Sequence, residues 1–179
     1  MPNIDPELKT GPELKTGPEL KTGPELKTGP EPKTGPEGAL APPRLHVVAG
    51  IILAPDTDRI LLARRPLHKH LGGLWEFPGG KLELGEAPVS GLARELEEEL
   101  AIRVLDCAPF LHLEHDYGDR PLVLDAWLVR SFSGEPIGNE GQEIAWIERL
   151  HLDASVMPAA NRPIAAALLA TTGDRLRRG

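Results

Sequence analysis

Residues 80–102 read GKLELGEAPVSGLARELEEELAI. This stretch predicts an α-helix from Pro88 to Leu100, because proline is tolerated in a first helical turn, where its missing amide donor is harmless. Leu92, Leu96 and Leu100 recur at intervals of four residues and form an apolar stripe. The pattern therefore predicts a helix with one buried face.

Three carboxylates share another face of this helix. At 100° per residue, Glu99 lies about 40° from Glu95 on one side, and Glu98 lies about 60° away on the other. Glu97 lies about 160° away, and we expect it to face solvent. Like charges on one helix face repel each other, and a divalent cation would remove that cost. Mg²⁺ takes oxygen ligands and bridges to substrate phosphates, so the spacing predicts a magnesium site.

The charge of the chain agrees with phosphate chemistry that depends on a metal. The net charge is -7, and seven acidic against six basic residues before Leu45 leave about -6 on the remainder. Duplex nucleic acid is bound through clustered Lys and Arg, so we do not expect this acidic protein to bind it. A metal polarises phosphoryl oxygens and orients or acidifies an attacking water. We expect Mg²⁺, with Mn²⁺ as a substitute.

The stretch resembles the Nudix box, G-x5-E-x7-R-E-U-x-E-E-x-G-U, in which U is aliphatic. The matching residues are Gly80, Glu86, Arg94, Glu95, Leu96, Glu98, Glu99 and Ile102. Ala101 stands where the family has glycine, which removes no ligand. With about 7% for each residue, six charged or glycine matches at fixed offsets arise by chance in roughly 10⁻⁷ of windows. A solvated glutamate-rich helix does not explain this pattern.

The resemblance implies roles for the box and its surroundings. Glu86 would support the electrostatics, and Arg94 would orient a carboxylate through charge-assisted hydrogen bonds. Gly80 and Lys81 would contact substrate, although the adjacent glycines Gly79 and Gly80 also suit an ordinary turn. The implied metal ligands are Glu95, Glu98, Glu99, Glu140 and the backbone of Gly79.

The resemblance extends over residues 45–169, where the chain is similar to MutT-type nucleoside triphosphate pyrophosphohydrolases. It is carried outside the box by residues 74–81, 134–142 and 157–161. Glu140 lies on a loop flanked by glycines, where it would be a metal ligand or the general base, or else an ordinary loop acid. Glu98 is a rival for the general base.

The same resemblance implies nucleotide contacts. The Asn161 amide both donates and accepts, which suits a purine edge, and Phe77 or Leu74 would supply an apolar wall. Asn161 equally suits a helix cap before Pro163. Arg65 and Arg120 would reach phosphate or base, with surface ion pairs as the alternative.

The predicted reaction is hydrolysis of a nucleoside triphosphate to a monophosphate and pyrophosphate, with oxidised purines such as 8-oxo-dGTP favoured. Tyr117 keeps dinucleoside polyphosphates open, because a tyrosine about this far past the box occurs in hydrolases of that kind. ADP-ribose and capped RNA are further alternatives. A non-catalytic binding module would be expected to lack box carboxylates, and all are present. An isopentenyl diphosphate isomerase needs a catalytic cysteine, whereas Cys107 is expected in a strand as a small core residue.

Residues 1–44 differ from the rest in composition, because they hold ten of the 19 prolines and repeat the hexamer GPELKT from Gly11. Repeats with one leucine at most cannot offset the entropy of ordering, so we expect a disordered tail. The remainder predicts one domain, residues 45–172, and a frayed basic tail, residues 173–179.

The order of elements predicts an α/β/α sandwich with a mixed sheet, which the resemblance identifies as the Nudix fold. The second strand is expected to return on the first as a hairpin. Predicted strands cover residues 45–53, 59–65, 74–77, 102–113, 122–129 and 144–147, and a second helix covers residues 163–170.

Cysteine content and hydrophobic patterning predict the cellular location of the protein. A single cysteine excludes an internal disulfide and suits a reducing compartment. No apolar run is long enough to span a bilayer, and no secretory signal is evident. We expect a cytoplasmic protein without membrane contact, whereas oligomeric state leaves no signature. His68 and His70 lie in a loop, where they would form a metal pair, contact phosphate or stay solvated. These alternatives stay open.

Overall fold

The strands form two three-stranded sheets in the computed structural model, which describes residues 44–118 and 121–178. The predicted tail lies outside these residues except for Arg44, and Arg120 lies outside them as well. The strands are β1 Leu45–Ile52, β2 Arg59–Arg64, β3 Trp75–Glu76, β4 Arg103–Asp116, β5 Pro121–Ser133 and β6 Ile144–Glu148. The helices are α1 Pro88–Leu100, α2 Arg162–Ala170 and α3 Gly173–Arg178, with short 3-10 turns at Arg149–His151, Ala154–Val156 and Ala159–Asn161.

The first sheet has the order β1-β5-β4 and is mixed, because β1 runs parallel to β5 whereas β4 runs antiparallel to it. The second sheet has the antiparallel order β3-β2-β6. The predicted hairpin of the first two strands is wrong: a single bridge between Leu53 and Ile60 joins their ends. β1 instead pairs along its whole length with β5.

Strand β1 is the centre of the core because both its faces are buried. Ala49 and Ile51 belong to the cluster that contains α2, whereas Val48 and Ile52 belong to the cluster with the leucine stripe of α1. A strand covered on both faces is expected to be a continuous apolar run rather than an alternating one. Helices on opposite faces of a mixed sheet confirm the predicted α/β/α sandwich.

The C-terminal segment is a helix, so the predicted frayed tail is wrong for residues 173–178. Leu176 anchors α3 in the core with 2% of its surface exposed. Its carbonyl accepts a hydrogen bond from Arg130 Nε at 3.1 Å. The guanidinium of Arg177 donates to the carbonyls of Ala54 and Pro55 at 3.2 and 2.9 Å. One buried leucine and these side-chain contacts order a segment whose basic composition suggested a free end.

Candidate active site

The residues at 78–80 bring the backbone against α1. Strand β1 holds this segment, because Gly50 N donates to the Pro78 carbonyl at 2.7 Å and Val48 N donates to the Gly80 carbonyl at 2.9 Å. Gly79 has φ +146°, and a Cβ there would lie 2.2 Å from the Val48 carbonyl oxygen. At Gly80 a Cβ would lie 2.1 Å from the Glu95 carboxylate. A side chain at position 79 would therefore meet backbone, whereas one at position 80 would displace the Glu95 carboxylate.

The carboxylates of α1 differ in exposure. Glu95 and Glu99 are half-buried beneath the glycine segment, whereas Glu98 is exposed. Glu97 is exposed, as its helical position predicted. Gly79 N donates to Glu99 Oε2 at 3.1 Å. The buried part of the site thus combines two glutamates with backbone amides and carbonyls.

Arg94 connects several of these carboxylates. Its Nε and Nη2 donate to the two oxygens of Glu86 at 3.0 and 2.8 Å. Its Nη1 donates to Glu95 Oε1 at 2.8 Å and lies 3.5 Å from Glu98 Oε2. The hydrogen bonds from Arg94 lower the pKa of Glu86 to about 2. Glu86 is therefore an anchor for the guanidinium, which in turn orients Glu95.

A second loop carries Glu140 to the end of α1. The last carbonyls of a helix lack partners within it, and this loop supplies them. Asn139 Nδ2 donates to the Glu98 carbonyl and Gln142 Nε2 donates to the Glu99 carbonyl, both at 2.8 Å. Gln142 also accepts from Glu140 N at 2.9 Å. The helix end therefore positions the loop that carries Glu140.

Glu76 is a site residue that the sequence analysis missed. It lies on β3, and its carboxylate pairs with Arg65 Nη1 at 2.5 Å. Burial raises the pKa of Glu76, although Arg65 opposes the shift. The available signal was an acid between two aromatic residues, Trp75 and Phe77, immediately before the glycine segment.

The site carries more negative charge than its amides compensate. Burial raises the pKa of Glu99 to about 7; the Gly79 amide opposes the shift, and the charges of Glu76, Glu140 and Glu95 add to it. We call Glu76, Glu95, Glu99 and Glu140 the acid cluster. These carboxylates come from β3, α1 and the late loop, and they influence one another through space.

The acid cluster fits a hard divalent cation by its chemistry rather than by a preformed cage. Among residues 44–118 and 121–178, no group of three or more His, Cys, Asp or Glu is arranged to hold a metal directly. Two of these carboxylates pair with cations instead: Glu95 with Arg94, and Glu140 with Lys69 Nζ at 3.6 Å. The donors are all oxygens, which suits Mg²⁺. Metal ligation by these residues stays a prediction.

The predicted purine contact Asn161 is buried, with 8% of its surface exposed, and its Oδ1 accepts from Phe77 N at 3.1 Å. Asn161 occupies the N-cap position of α2, as the alternative predicted, but its side chain makes no capping hydrogen bond there. The Phe77 side chain is 3% exposed and packs in the core, so it does not form an open apolar wall. Leu74, the other candidate for that wall, is half-buried. Phe77 instead orients the Asn161 amide through its backbone.

Aromatic side chains lie close to this asparagine. The Tyr117 hydroxyl accepts from Ala160 N at 3.3 Å, next to Asn161 in the chain. The rings of His115 and His70 meet the Tyr117 ring edge-on, with centroids 4.4 and 6.2 Å away. The structure thereby brings Tyr117 and His70, whose roles the sequence left open, to the same end of the molecule as Asn161.

The remaining predicted contacts are distributed around the acid cluster. Arg65 is held by Glu76 and also donates from Nε to the His70 carbonyl at 2.9 Å. Lys81 is exposed, and its carbonyl accepts from Arg94 at 3.1 Å.

Cys107 lies on β4, where burial raises the pKa of its thiol, which disfavours a nucleophilic thiolate.

Carboxylates on a helix that faces a glycine turn are suited to binding a hard divalent cation. The family described as NUDIX domain matches residues 48–167. The chain belongs to this family and is a Nudix pyrophosphohydrolase. None of the helices in the described part of the chain combines the length and apolar content needed to cross a bilayer.

Relatives agree with this assignment and confirm the resemblance to MutT-type enzymes. The 8-oxo-dGTP diphosphatase of Escherichia coli K12 is 39% identical over 125 residues, covering 70% of this chain and 96% of that protein. The CTP pyrophosphohydrolase of the same organism is 34% identical over 131 residues, covering 73% and 96%. A MutT structure from work on Aliivibrio salmonicida and Vibrio cholerae is 42% identical, covers 72% of this chain and 98% of its own, and superposes with a TM-score of 0.63.

Proposed function

We propose that this protein hydrolyses nucleoside triphosphates to a monophosphate and pyrophosphate with Mg²⁺, and that oxidised purine nucleotides such as 8-oxo-dGTP are its preferred substrates. The observation that carries the proposal is the acid cluster, in which burial and the charges of three further carboxylates raise the pKa of Glu99. Such a cluster binds a polyanion only through cations. The relatives named 8-oxo-dGTP diphosphatase support the choice of substrate.

Glu95, Glu99 and the Gly79 carbonyl are the proposed inner ligands. The neighbouring carbonyls of Pro78 and Gly80 are taken by amides of β1, whereas the Gly79 carbonyl accepts no backbone hydrogen bond from a described residue. When bound, the metal would neutralise charge on the phosphates and acidify the attacking water. Arg94 would keep Glu95 oriented throughout, because Glu86 anchors its guanidinium from the other side.

Glu140 and Glu98 are the candidates for the general base, with further metal ligation by whichever is not the base. Both are about half exposed, with 49% and 59% of their side-chain surfaces open to solvent. Glu98 lies 3.5 Å from Arg94, and Glu140 lies 3.6 Å from Lys69. We favour Glu140, because its loop is docked on α1 while its carboxylate stays free to turn towards substrate.

Asn161 would read the purine. Phe77 N holds the carbonyl oxygen of the amide, so the orientation of the side chain is set before any ligand arrives. The NH₂ group then donates to an acceptor on the base edge, and the second lone pair of the oxygen stays available. A site that hydrogen-bonds a substrate group discriminates strongly against analogues that lack it.

The test is pyrophosphate release from dGTP, 8-oxo-dGTP, CTP, ADP-ribose and a dinucleoside polyphosphate with Mg²⁺. We expect the highest kcat/KM for 8-oxo-dGTP, and we expect Asn161→Ala to remove most of that preference. CTP is the second candidate, since one relative is named CTP pyrophosphohydrolase. Preference for ADP-ribose or the dinucleotide would overturn the proposal. The proposed substrates are cytoplasmic metabolites, so we place the protein in the cytoplasm, without a role for membrane or duplex nucleic acid.

A further inference from the structure

The acid cluster is faced on two sides by cations from different parts of the chain. Arg94 approaches from α1, whereas Arg65 and Lys69 approach from the loop between β2 and β3. The two cations of this loop pair with different carboxylates, Arg65 with Glu76 and Lys69 with Glu140. The loop therefore supplies positive charge to the part of the acid cluster that lies outside α1.

These two cations are held very differently. Arg65 has 25% of its side chain exposed, pairs with Glu76 at 2.5 Å and also donates to the His70 carbonyl. Lys69 has 48% of its side chain exposed, and its one ion pair among the described residues is with Glu140, at 3.6 Å. Its charge also opposes the rise that burial causes in the pKa of Glu76. The separation from Glu140 exceeds a hydrogen bond, and exposed ion pairs of this kind are weak. Lys69 is therefore the cation that can leave at little cost.

There is open space beside this ion pair. A groove of about 380 Å³ lies between the loop and the Glu140 loop, with Arg64, His68 and Gly141 among its lining residues. The groove has room for a chain of phosphates next to Glu140. The Lys69 ammonium lies 3.6 Å from Glu140, which lines the groove. A lysine offers a compact charge with three rotatable donors, which suits a phosphate as well as a carboxylate.

Resting on the function proposed above, we propose that Lys69, which pairs with Glu140, is a polyphosphate-binding residue. The Lys69 ammonium would pair with phosphates in the groove, and Glu140 would then be available to a divalent cation. Lys69 thereby prevents Glu140 from remaining an uncompensated charge before substrate arrives. The cost is competition between the ammonium and the metal for one carboxylate.

The first test measures metal binding without nucleotide. Mn²⁺ is titrated into the full chain and followed by the electron paramagnetic resonance signal of the free ion. We expect Lys69→Met to tighten Mn²⁺ binding roughly two- to fivefold, because a weak competing ion pair is lost. The gain should vanish in the background of Glu140→Gln, where the freed carboxylate is missing. Arg44→Met is the matched control, because Arg44 forms an exposed ion pair with Glu114 and its loss removes the same charge.

The second test measures phosphate binding, with inorganic pyrophosphate titrated calorimetrically in the presence of Mn²⁺. Lys69→Met should weaken pyrophosphate binding about tenfold and raise KM for the triphosphate similarly, because a charge-assisted contact is lost. We expect kcat to stay within about twofold, and Lys69→Arg to restore most of the binding. Thermal melting of each variant verifies that it folds.

The outcomes separate the two proposals. A wild type that releases no pyrophosphate from any nucleotide refutes the proposed function, whereas the two titrations still decide the role of Lys69. Failure of the wild type to bind Mn²⁺ overturns both. The inference is also overturned if Lys69→Met matches wild type in either titration, or if Arg44→Met tightens Mn²⁺ equally, since the effect would then be a general change of charge.

Discussion

Adding one methyl group at Gly80 tests whether the position of Glu95 controls catalysis. A Cβ there would lie 2.1 Å from Glu95 Oε2, whereas ordinary contact begins at 3.4 Å, so the carboxylate must move by about 1.3 Å. A misplacement of about 1 Å at a reacting centre can cost about 100-fold in rate. We expect Gly80→Ala to lower kcat/KM by about that factor, equivalent to about 2.7 kcal/mol in the activation free energy.

The fold should tolerate this change. Gly80 has no positive φ, and the atoms in the way are the end of a side chain rather than backbone. We expect the free energy of unfolding to change by no more than about 1 kcal/mol, because reduced flexibility of the unfolded chain offsets part of the disturbed contact between Glu95 and Arg94. Gly79→Ala should differ, since its Cβ would meet the Val48 carbonyl and its φ is +146°. That variant should lose stability as well as activity.

The assay is pyrophosphate release at saturating Mg²⁺, together with urea unfolding of each variant. Gly173→Ala is the control, because a Cβ there meets its nearest atom at 3.4 Å. If Gly80→Ala keeps activity within about threefold of wild type while folding normally, the placement of Glu95 does not limit the reaction. A large loss of stability in Gly80→Ala would instead show that the displaced side chain is not free to move.

Three further predictions concern other parts of the chain. Ala101 ends α1 with φ +57°, a conformation that costs a non-glycine residue about 1–2 kcal/mol. Glycine avoids this cost but makes the unfolded chain more flexible, so Ala101→Gly should stabilise the protein by about 0.5–1 kcal/mol and raise its Tm. A lower Tm would contradict this explanation. Glu98→Gln should reduce kcat by at least about 100-fold in steady-state pyrophosphate release, because metal-bound charge stabilises the transition state by several kcal/mol, whereas near-normal turnover would exclude Glu98 from the site. Burial would raise the pKa of Asp125, but hydrogen bonds from His112 and His46 outweigh burial and lower the pKa. The ionised carboxylate therefore stabilises the folded protein. This contribution is fully present above the unfolded pKa of about 3.9 and is lost as pH falls through the lower folded pKa. In urea titrations, Asp125→Asn should therefore be less stable than wild type by about 1–2 kcal/mol near pH 6, and the difference should shrink below about pH 4, whereas a difference independent of pH would refute the assignment.

The elements that sequence predicted well are those that local spacing determines. The limits of α1 agree with the prediction, because a proline at its start and leucines at every fourth position specify a helix without reference to the rest of the chain. The pairing of β1 was wrong because an apolar strand can pair with many partners. β5, its partner, lies more than 70 residues away. The helix α3 was missed because its order depends on Leu176 reaching the core.

The same distinction applies to the site. The box residues were found because they lie within one helix and the turn before it. Glu76 was not found, because its inclusion depends on the β2–β3 pairing that places it where its charge adds to the effect of burial in raising the pKa of Glu99. The role of Lys69 was equally hidden, since Glu140 is separated from it by 70 residues along the chain. Local patterns therefore predicted the helix of the site but missed partners that distant segments supply.

By itself, the amino-acid sequence determined that three glutamates would share a face of one helix, because helical geometry depends on neighbours along the chain. Only the tertiary structure decided how deeply each carboxylate is buried and which cation holds it. Those properties depend on desolvation and on charges from distant segments, which arise only when the chain has folded. Glu98 and Glu99 are adjacent in sequence, yet Glu98 is exposed, whereas the pKa of Glu99 rises to about 7 in the packed site.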